Sequence, residues 1–519
     1  MTVFISPPVS QEPAVAVLPS RHLKLWYRTV STRPFTRNSN APAQGSIPKR
    51  QPATMTLLPA TRSDISTREY LALFTLTGTC TAIIIAAFRS RGEPIVASLG
   101  FSGFAFAATY CLIPWLGEAF KRVGFKGKDM AKTHRPEIPE TMGAVCAVVY
   151  IMCMFLFIPF PFYEYLVQTS GGGNRDVEVE VHSATGRTLH RFPHNKLGEY
   201  LSAILSLQSM VFLGVADDLF DIRWRHKILL PAIAAIPMLV VYYVDFGVTI
   251  ITIPTLLQPY LGHLLNLGWL YYAYMAFVAI LGPNAINILA GINGIEVGQS
   301  IVIALMIIFN DVLYISRPGH PAMNSHLFSL YFLLPFLGVS LALLRYNWFP
   351  AKVFVGDTYC YFAGFLFSVV GILGHFSKTL MLLLLPQIFN GCYSTPQLFG
   401  LVPCPRHRLP KFNGRTHLLE PSMAPFILPP KQPTVLLLSA MEKFKLVKLV
   451  RDEEGVIKEC SNLTILNLWL VWFGPMREDT LAMGVLALQL VMGLAALGIR
   501  HGLALMVYES DNLIKWERT

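Results

Sequence analysis

The sequence predicts an all-α, polytopic transmembrane helix bundle of about 10 to 11 spans, with small β-hairpins in the extramembrane loops. The first observation is composition: 53% of the 519 residues are hydrophobic and only 14% are charged, against roughly 25% charged residues in soluble domains. The second is length, because several apolar runs reach the roughly 18 to 20 residues that cross a bilayer as a helix. Water is therefore not the main solvent of this chain.

The apolar runs predict about eleven spans, all of them after residue 69. Residues 1–69 are rich in Pro, Ser, Thr and Arg and poor in acids, which predicts a disordered basic N-terminal tail. A transit-peptide-like segment is the alternative, and an internal start at Met55 would remove most of the tail. Residues 70–519 form the predicted transmembrane domain, with a long cytosolic loop at about 401–478. The spans are placed near 71–88, 95–118, 141–166, 198–216, 228–244, 267–284, 298–316, 326–345, 353–373, 380–400 and 481–505.

The distribution of basic residues predicts the topology of the bundle. The connections after the second, fourth, sixth, eighth and tenth spans share one side of the membrane, because two crossings separate each from the next. Lys and Arg concentrate in these connections, so the positive-inside rule makes this side cytosolic, together with the N-terminal tail. Small elements are expected in the loops: a lumenal hairpin near 177–186, a cytosolic hairpin with 452–455 as its turn, and a short interfacial helix at 463–473.

The net charge of +11 and the eight cysteines exclude two other classes of protein. The basic residues lie mostly between apolar spans rather than on a compact basic domain, so we expect no nucleic-acid partner. The cysteines show no paired CxxC spacing, and most of them lie in apolar stretches. The sequence therefore indicates neither a disulfide framework nor a zinc site.

Two adjacent carboxylates, Asp217 and Asp218, end the fourth predicted span and precede a basic segment that ends at Lys227. Carboxylates at the end of a span are costly unless they pair with cations or bind a metal. One interpretation is an interfacial acid pair that the following bases neutralise. The other is the handling of Mg²⁺ and phosphate, since hard oxygen ligands suit Mg²⁺ and lysine suits phosphate. These three residues are the catalytic candidates.

A second polar segment, 284–296, places three amides and an acid between two spans. Asn284, Asn287 and Gly291 would share one face if the segment were helical, at positions i, i+3 and i+7. The glycines would let a nucleotide approach the backbone. Glycine-assisted helix packing with amide bonds between helices is the alternative interpretation.

Further candidates fall on the same predicted cytosolic face. Asp357 lies within the first turn of the ninth predicted span, where capping of the helix is the alternative role. Arg406, His407 and Arg408 open the long loop, and two guanidiniums that flank an imidazole suit a diphosphate. A topogenic basic cluster would carry the same charge. The first connection contributes two candidate substrate-binding residues, Met130 and Glu140.

These segments, in this order, resemble the polyprenyl-phosphate N-acetylhexosamine-1-phosphate transferase superfamily of glycosyltransferase family 4. Within it they are most similar to the eukaryotic UDP-GlcNAc:dolichyl-phosphate GlcNAc-1-phosphate transferases. The resemblance runs from about residue 100 to the C-terminus. The first span and the tail are additional to the shorter animal-type members. The most specific stretches are 216–227, 284–296, 354–364, 371–379 and 404–408.

The resemblance implies an endoplasmic reticulum phosphotransferase with a cytosolic active site, Mg²⁺ dependence and sensitivity to tunicamycin. Asn287 and Asp357 would hold Mg²⁺ on the diphosphate of UDP-GlcNAc, and Lys227 would steady phosphate charge. Asp217 and Asp218 would orient the acceptor or support the metal site. The residues implied to face the uridine are Gly291, Asn293 and Phe354.

The function expected from this resemblance is transfer of GlcNAc-1-phosphate from UDP-GlcNAc to dolichyl phosphate, giving GlcNAc-diphosphodolichol and UMP. This is the first step of lipid-linked oligosaccharide assembly for protein N-glycosylation. The expected partners are UDP-GlcNAc, dolichyl phosphate and membrane lipid, and a homodimer is compatible with the sequence. The alternatives are a related transferase with another donor or acceptor, and a nucleotide-sugar or lipid transporter. A transporter would place ionisable residues on a path that reaches both faces, whereas here the polar clusters are expected on one face only.

Overall fold

The structure is a computed structural model that describes residues 65–89, 93–163, 193–405 and 408–508. Residues 1–64 of the predicted tail, the hairpin predicted near 177–186, and Arg406 and His407 lie outside these residues. The described elements are helices and small antiparallel sheets, which confirms the predicted fold class.

Eight helices in the described part of the chain are long and apolar enough to cross a membrane. Each coincides with one of the predicted spans. The last of them continues into a π-helical turn, Ile499–Leu503. The eight helices are α1 (Thr67–Arg89), α2 (Pro94–Val123), α4 (His194–Phe220), α9 (Trp269–Ile288), α10 (Ile295–Ile315), α11 (Met323–Asn347), α12 (Gly356–Leu373) and α17 (Glu478–Gly498).

The other three predicted spans are shorter or interrupted, so the prediction of one unbroken spanning helix is wrong in these places. In the fifth and the tenth, a proline follows the break directly: Pro237 and Pro386 each occupy the second position of the new helix. Proline removes a backbone donor and disfavours the helical conformation of the preceding residue, which ends the earlier helix. The segments are α3 (Gly143–Phe157), α6 (Leu230–Ala234), α7 (Ile236–Asp245), α13 (Ser377–Leu383) and α14 (Leu385–Leu398).

Helix α12 lies at the centre of the bundle. Residues 358–373 are all buried, and the helix packs against α3, α4, α9 and α11. It approaches α9 closely because glycine stands on both sides of the crossing. A Cβ atom on Gly282 would clash with the carbonyl of Gly364, and a Cβ on Gly364 with the carbonyl of Gly282. The crossing thus fixes the spacing of two helices whose ends carry Asn287 and Asp357.

The connections that the topology predicts on one side lie at one end of the bundle. The Phe354 N–H donates to the Pro139 carbonyl at 2.8 Å, which joins the connection after the eighth span to the connection after the second span. Helix α1 begins at this end as well, because Glu69 lies 3.6 Å from Arg345 near the end of α11. We call this end, marked by Pro139, Phe354, Glu69 and Arg345, the polar end. The compartment that it faces stays a prediction.

The loops carry short strands and helices. The hairpin with its turn at 452–455 is confirmed, because β8 pairs with β9 on either side of that turn. The short helix predicted at 463–473 is confirmed as α16. The strands are β1 (Lys126–Lys128), β2 (Glu137–Pro139), β3 (Ile250–Thr252), β4 (Leu264–Asn266), β5 (Lys411–Asn413), β6 (Leu418–Glu420), β7 (Met423–Pro425), β8 (Leu449–Arg451) and β9 (Ile457–Ser461). The short helices are α5 (Trp224–Lys227), α8 (Gln258–Leu261), α15 (Gln432–Lys443), α16 (Ile465–Phe473) and α18 (Ala504–Val507).

A buried polar cluster lies away from the polar end, where α10 finishes and α11 begins. His326 Nδ1 lies 2.7 Å from Asp311 Oδ1, and both side chains are buried. The Tyr314 ring stacks on the His326 ring with centroids 4.0 Å apart. The expectation that polar clusters lie on one face only is therefore wrong. It failed because these polar residues stand singly within apolar runs, and only the packing of α10 against α11 brings them together.

Candidate active site

A lysine bridges two carboxylates where three elements meet at the polar end. Lys227 ends the short helix α5, and its Nζ atom lies 2.6 Å from Asp217 Oδ2 and 2.7 Å from Asp357 Oδ2. Asp217 belongs to the last turn of α4, and Asp357 to the first turn of α12. The structure thus brings together three of the predicted site residues. We call them the Lys227 cluster.

Tyr361, which the sequence reasoning missed, completes the surroundings of Asp217. Its hydroxyl donates to Asp217 Oδ2 at 2.9 Å, while the Ile222 N–H donates to Asp217 Oδ1 at 3.1 Å. Both oxygens of this carboxylate are engaged, and only 1% of the side chain is exposed. A signal was present in the sequence, because Tyr361 follows Asp357 by four positions and therefore shares its face of α12.

Asp218 has a different role from its neighbour. Its Oδ1 atom accepts from the Asp357 N–H at 2.7 Å, and its Oδ2 accepts from the Thr358 N–H at 3.2 Å and the Thr358 hydroxyl at 2.6 Å. The first N–H groups of a helix lack partners within the helix, and a carboxylate satisfies them well. Asp218 therefore caps α12 and holds the turn that carries Asp357. Capping, considered above for Asp357, is performed by Asp218.

Glycine makes room for this cap. Gly356, the first residue of α12, has a φ of +74°. A Cβ atom there would lie 2.6 Å from Asp218 Oδ2 and 2.7 Å from the Thr141 Cα. A larger residue would push the carboxylate away from the helix end, so we infer that the Gly356-Asp357 pair is needed for the geometry of the site.

The charges of the Lys227 cluster act on the titratable groups around it. Burial by itself lowers the pKa of Lys227, but the charges and hydrogen bonds of Asp357 and Asp217 outweigh it and raise that pKa above its ordinary value. Burial raises the pKa of Glu140, and the negative charges of Asp218 and Asp357 raise it further. Lys227 is therefore held as a cation, while Glu140 lies in a field that disfavours another negative charge.

Asp357 is the carboxylate of the Lys227 cluster that solvent can reach. The Asp357 side chain is 36% exposed, in contrast to that of Asp217. Asn287, on the last turn of α9, neighbours Asp357, and its Nδ2 atom is buried. In the described ranges no three His, Cys, Asp or Glu side chains form a protein-only metal site. Mg²⁺ usually binds through one or two carboxylates together with substrate phosphates, and an aspartate with an adjacent amide matches that pattern.

The loop after α9 departs from the helical spacing predicted for it. Helix α9 ends at Ile288, so Asn287 lies on the helix and Gly291 does not. Gly291 has a φ of +109°, a left-handed conformation that suits glycine and excludes a continuing helix. A Cβ atom on Gly291 would clash with the Leu409 side chain. The Leu409 side chain therefore packs beside Gly291, which itself remains exposed.

The Phe354 ring forms another wall of the site. A Cβ atom on Gly127 would lie 2.8 Å from the Phe354 ring and 3.3 Å from Glu140 Oε2. The hairpin of β1 and β2 therefore packs its glycine against this ring. Met130 lies after β1, is 58% exposed, and makes no hydrogen bond to the cluster in the described part of the chain. The structure brings Phe354 and Glu140 together and leaves Met130 at the surface.

Asn293 is fixed by residues that the sequence reasoning did not connect with it. Its backbone N–H donates to Glu478 Oε1 at 2.7 Å, and its Nδ2 donates to Asp129 Oδ2 at 3.2 Å. Lys132 Nζ lies 2.7 Å from Glu478 Oε2 and 3.2 Å from Asp129 Oδ2. We call Asp129, Lys132 and Glu478 the Lys132 network. Nothing in the sequence pairs Lys132 with Glu478, since 346 positions separate them.

Arg408 is the described member of the predicted basic cluster. Its carbonyl accepts from Asn467 Nδ2 at 2.8 Å, which ties it to α16. Its Nη1 atom is buried and has no hydrogen-bond partner among the described residues. Burial lowers the pKa of Arg408, although a guanidinium remains charged at neutral pH. A buried guanidinium with an unused donor can bind an anion.

The comparisons with known proteins agree with this geometry. Residues 200–375 match the sequence model of Glycosyl transferase family 4, and this range holds the whole Lys227 cluster. A protein of Saccharomyces cerevisiae is 53% identical over 446 residues, which cover 85% of this chain and 99% of the relative. A protein of Schizosaccharomyces pombe is 52% identical over 437 residues, which cover 83% of this chain and 97% of the relative. Both carry the name UDP-N-acetylglucosamine--dolichyl-phosphate N-acetylglucosaminephosphotransferase.

A bacterial protein is more distant. The probable undecaprenyl-phosphate N-acetylglucosaminyl 1-phosphate transferase of Bacillus subtilis is 28% identical over 204 residues, which cover 37% of this chain and 49% of the relative. The yeast proteins, in contrast, match almost from end to end. The chain belongs to the family of UDP-N-acetylglucosamine--dolichyl-phosphate N-acetylglucosaminephosphotransferases.

Proposed function

We propose that the protein transfers GlcNAc-1-phosphate from UDP-GlcNAc to dolichyl phosphate, giving GlcNAc-diphosphodolichol and UMP. This makes it the enzyme of the first step of lipid-linked oligosaccharide assembly for protein N-glycosylation. The observation that carries the proposal is the Lys227 cluster, in which a lysine and a partly exposed aspartate meet at the polar end of a membrane bundle. Family membership supplies the donor and the acceptor.

The reaction is a phosphoryl transfer. An oxygen of dolichyl phosphate attacks the β-phosphorus of UDP-GlcNAc, the bond from that phosphorus to the bridging oxygen breaks, and UMP leaves with the bridging oxygen. The attacking phosphate is already ionised near pH 7, so an obligatory general base is not required. Such a reaction needs mainly positioning and charge neutralisation. Residues that hold charge in fixed places therefore perform the catalysis.

The residues of the chain divide this work. We assign Lys227 to the negative charge of the reacting phosphates, with Asp217 holding its ammonium in place through the bond at 2.6 Å. Asp218 keeps Asp357 at the helix end through the cap on α12. Arg408, with Arg406 and His407 beside it in the sequence, is assigned to the GlcNAc-diphosphate portion of the donor.

The uridine is assigned to the residues Gly291, Asn293 and Phe354. Gly291 offers backbone without a side chain, and Phe354 offers an aromatic face against Gly127. Asn293 supplies a fixed amide. Met130 and Glu140 border this region as further candidates for donor contacts. A nucleotide that lies along these residues would direct its diphosphate toward Asp357.

Mg²⁺ is proposed as the cofactor, with Asn287 and Asp357 as the protein residues that would hold it. When bound, it would neutralise diphosphate charge and polarise the phosphoryl oxygens. Asp357 meets the requirement for an accessible carboxylate. Loss of transfer on chelation of divalent cations, restored by added Mg²⁺, would test this assignment.

The orientation and the compartment are also proposals. The polar end collects the connections richest in Lys and Arg, so the positive-inside rule makes it cytosolic in the endoplasmic reticulum membrane. Since α1 begins at that end, a tag at residue 60 should be cleaved by protease added outside intact microsomes. Protection of the tag would contradict the orientation. The expectation of a homodimer stays a prediction, which the mass of the protein in detergent would test.

The activity can be tested directly with the purified full-length protein, labelled UDP-GlcNAc, dolichyl phosphate and Mg²⁺. We expect a labelled lipid and release of UMP. Release of UDP instead would mean transfer of the sugar without its phosphate. A preference for undecaprenyl phosphate over dolichyl phosphate would favour the bacterial-type acceptor. A variant with Asp357→Asn in the same membranes serves as the control for contaminating enzymes.

A further inference from the structure

We propose that buried side-chain amides hold the end of helix α9 on both sides of Asn287 and thereby position Asn287 beside Asp357. The inference rests on the proposed function, in which these two residues would hold Mg²⁺ on the diphosphate of the donor. It gives a positioning role to four residues that touch neither substrate nor metal in that reaction. They are Gln299 on α10, Gln387 and Asn390 on α14, and Gln489 on α17.

The last turn of α9 takes a donor from the neighbouring helix α10. The final carbonyl groups of a helix have no N–H within the helix to accept from, and a buried carbonyl without a partner is costly. Gln299 Nε2 donates to the Ile286 carbonyl at 3.2 Å and to the Leu289 carbonyl at 2.7 Å. These carbonyls lie before and after Asn287 in the chain. One side chain therefore holds the backbone on both sides of Asn287.

A second donor reaches the same turn from α14. Asn390 Nδ2 donates to the carbonyl of Ile288, the last residue of α9, at 2.9 Å. Asn390 Oδ1 accepts from the N–H of Ile465, the first residue of α16, at 2.8 Å. Both ends of this fully buried amide are engaged, so it cannot rotate without losing a bond. The carbonyl next to Asn287 is therefore tied to two further helices.

Three glutamines, which we call the Gln387 network, connect this turn to more distant helices. Gln387 Nε2 donates to Gln299 Oε1 at 2.9 Å and to Gln489 Oε1 at 2.7 Å. Gln489 Nε2 donates to the carbonyl of Leu383, the last residue of α13, at 2.9 Å. Each of the glutamines Gln299, Gln387 and Gln489 is at most 1% exposed. The network thus links α10, α14 and α17 in the interior of the bundle.

The direction of each bond in the Gln387 network follows from the backbone carbonyls at its two ends, which only accept. The Gln299 amide must turn its nitrogen toward the carbonyls of α9, so its oxygen faces Gln387. The Gln489 amide must turn its nitrogen toward the Leu383 carbonyl, so its oxygen faces Gln387 as well. Gln387 must therefore present its nitrogen, whose two hydrogens serve the two oxygens. Reversing any of the three amides would place two acceptors or two donors against each other.

The depth of these amides indicates a role beyond filling the core. Gln489 lies eleven positions after Glu478, the first residue of α17, which is roughly 16 Å along the helix. Polar side chains are costly within a membrane span, and an apolar side chain of similar volume would pack there without that cost. Gln387 Oε1 has no hydrogen-bond partner among the described residues, so part of the cost is not compensated. The bonds of the network lead to the turn that carries Asn287.

Asn287 needs this support because the backbone leaves the helix directly after it. Leu289 has φ and ψ of −103° and 64°, outside the helical range, and Gly291 has a left-handed φ of +109°. Fraying of the last turn would carry Asn287 away from Asp357 on the facing helix. Groups that orient a metal ligand without touching the metal typically contribute about ten- to a hundredfold to metal affinity or activity.

The test is Gln299→Met in the full-length protein, with hydrogen exchange and steady-state kinetics measured on one preparation. Methionine keeps the length of the side chain and removes both donors to α9. Backbone amides of residues 284–296 should exchange at least about tenfold faster than in wild type. The kcat should fall about tenfold, and the Mg²⁺ concentration for half-maximal transfer should rise about tenfold. The KM for dolichyl phosphate should stay near that of wild type.

The matched control is Gln397→Met, which removes another buried glutamine of α14. Gln397 is 1% exposed and makes three hydrogen bonds, to Pro403, Asn462 and Leu463, and none of them reaches α9. Both variants should lower the unfolding midpoint, because each leaves buried polar groups without a partner. Only Gln299→Met should change the exchange of residues 284–296 and the Mg²⁺ requirement.

Three outcomes would overturn the inference. The first is wild-type exchange at residues 284–296 in Gln299→Met. The second is faster exchange with an unchanged kcat and Mg²⁺ requirement, which would mean that the amides hold α9 without positioning Asn287. The third is an equal change of exchange and Mg²⁺ requirement in Gln397→Met, which would indicate general destabilisation.

A second variant keeps the test decisive if Gln299→Met does not fold. Asn390→Leu removes the donor to the Ile288 carbonyl, and wild-type exchange and Mg²⁺ requirement in that variant would refute the positioning role. If wild type itself forms no labelled lipid from UDP-GlcNAc, the proposed function fails, whereas the exchange measurements still decide whether the amides hold the end of α9. Active wild type with unaltered variants would leave the function intact and reject this inference alone.

Discussion

Two lysines at the polar end use the same arrangement in different ways. Lys227 and Lys132 each bridge two carboxylates from different parts of the chain, and each side chain is 19% exposed. They differ in their acids. Asp357 is 36% exposed, whereas Asp129 and Glu478 are closed off from solvent. An ion-pair cluster with one open carboxylate can act on a ligand, and a closed cluster can only hold its own neighbours in place.

The energetics of burial explain why both arrangements are sensitive. Taking charges out of water is costly, and their mutual attraction offsets the cost only when the geometry is good. Removing one partner leaves an unpaired buried charge, which costs more than the pair contributes. Loss of the lysine should therefore lower stability in both clusters, and we expect the kinetic losses to differ: catalysis at Lys227, and donor binding at Lys132.

The largest expected effect is at the open carboxylate. Asp357→Asn should lower kcat by at least about a hundredfold, because it removes the charge that pairs with Lys227 and that would hold the proposed Mg²⁺, while keeping the side-chain size. The thermal unfolding midpoint should change little. Asp452→Asn, in the turn between β8 and β9, is the control and should leave turnover unchanged. Near-wild-type turnover of Asp357→Asn at limiting Mg²⁺ would contradict the assignment.

The second prediction compares the two lysines directly. Lys227→Met should lower kcat by about ten- to a hundredfold with a modest effect on the KM for UDP-GlcNAc. Lys132→Met should instead raise that KM with a smaller effect on kcat. Both variants should lower the unfolding midpoint, because each leaves a buried carboxylate without a cation. Steady-state kinetics and thermal unfolding of the two variants in one detergent would decide. Identical kinetic changes would mean that the clusters do not differ as proposed.

The third prediction separates the two adjacent acids. Asp218→Asn should retain part of the activity, because the asparagine oxygen can still accept from one of the first N–H groups of α12 although the other contact is lost. Asp218→Ala should cost about 1 to 2 kcal/mol of stability and lower kcat with it. Asp217→Asn should not show this tolerance, since that carboxylate holds the Lys227 ammonium. Equal kinetics for Asp217→Asn and Asp218→Asn would contradict the assignment of different roles to these two acids.

The smallest effect concerns Glu140. Burial and the nearby acids raise its pKa above the ordinary value of 4.5, so the folded protein binds the proton more tightly than the unfolded chain. This group's contribution to stability therefore falls as the pH rises from the unfolded pKa through the folded pKa. Glu140→Gln should remove this pH-dependent loss of stability and raise the unfolding midpoint by about one or two degrees at neutral pH. The gain should disappear near pH 4, below the ordinary pKa.

Much of this arrangement could be predicted from local sequence and the alternation of spans. Counting crossings places the connections of Asp217, Asn287 and Asp357 on one side, and the structure has all three at one end. The ends of helices were harder to predict. From the sequence, Gly291 continues the helical face of Asn284 and Asn287, and only its positive φ shows that the helix has already ended. Pro237 and Pro386 indicate the breaks in the fifth and tenth predicted spans, but the length rule for spans takes no account of proline.

The division of roles could not be predicted in this way. Asp217 and Asp218 are adjacent and chemically identical, and only the rotation of α4 decides which one meets Lys227 and which one meets α12. Lys132 and Glu478 are joined solely by tertiary packing. A local pattern identifies the chemistry of a side chain, whereas its partner depends on which helices the bundle places together.

The crossing of α9 and α12 at Gly282 and Gly364 has a mechanical consequence. Asn287 lies five positions beyond this contact on one helix, and Asp357 lies seven positions from it on the other. At 1.5 Å per residue, these arms are roughly 8 and 10 Å long. The glycine contact therefore sets the distance between the two helices, and through it the distance between Asn287 and Asp357 at their ends. A methyl group added at either glycine would clash with the backbone of the facing helix and would move Asn287 and Asp357 apart, so we expect the candidate active site to depend on glycine at this crossing.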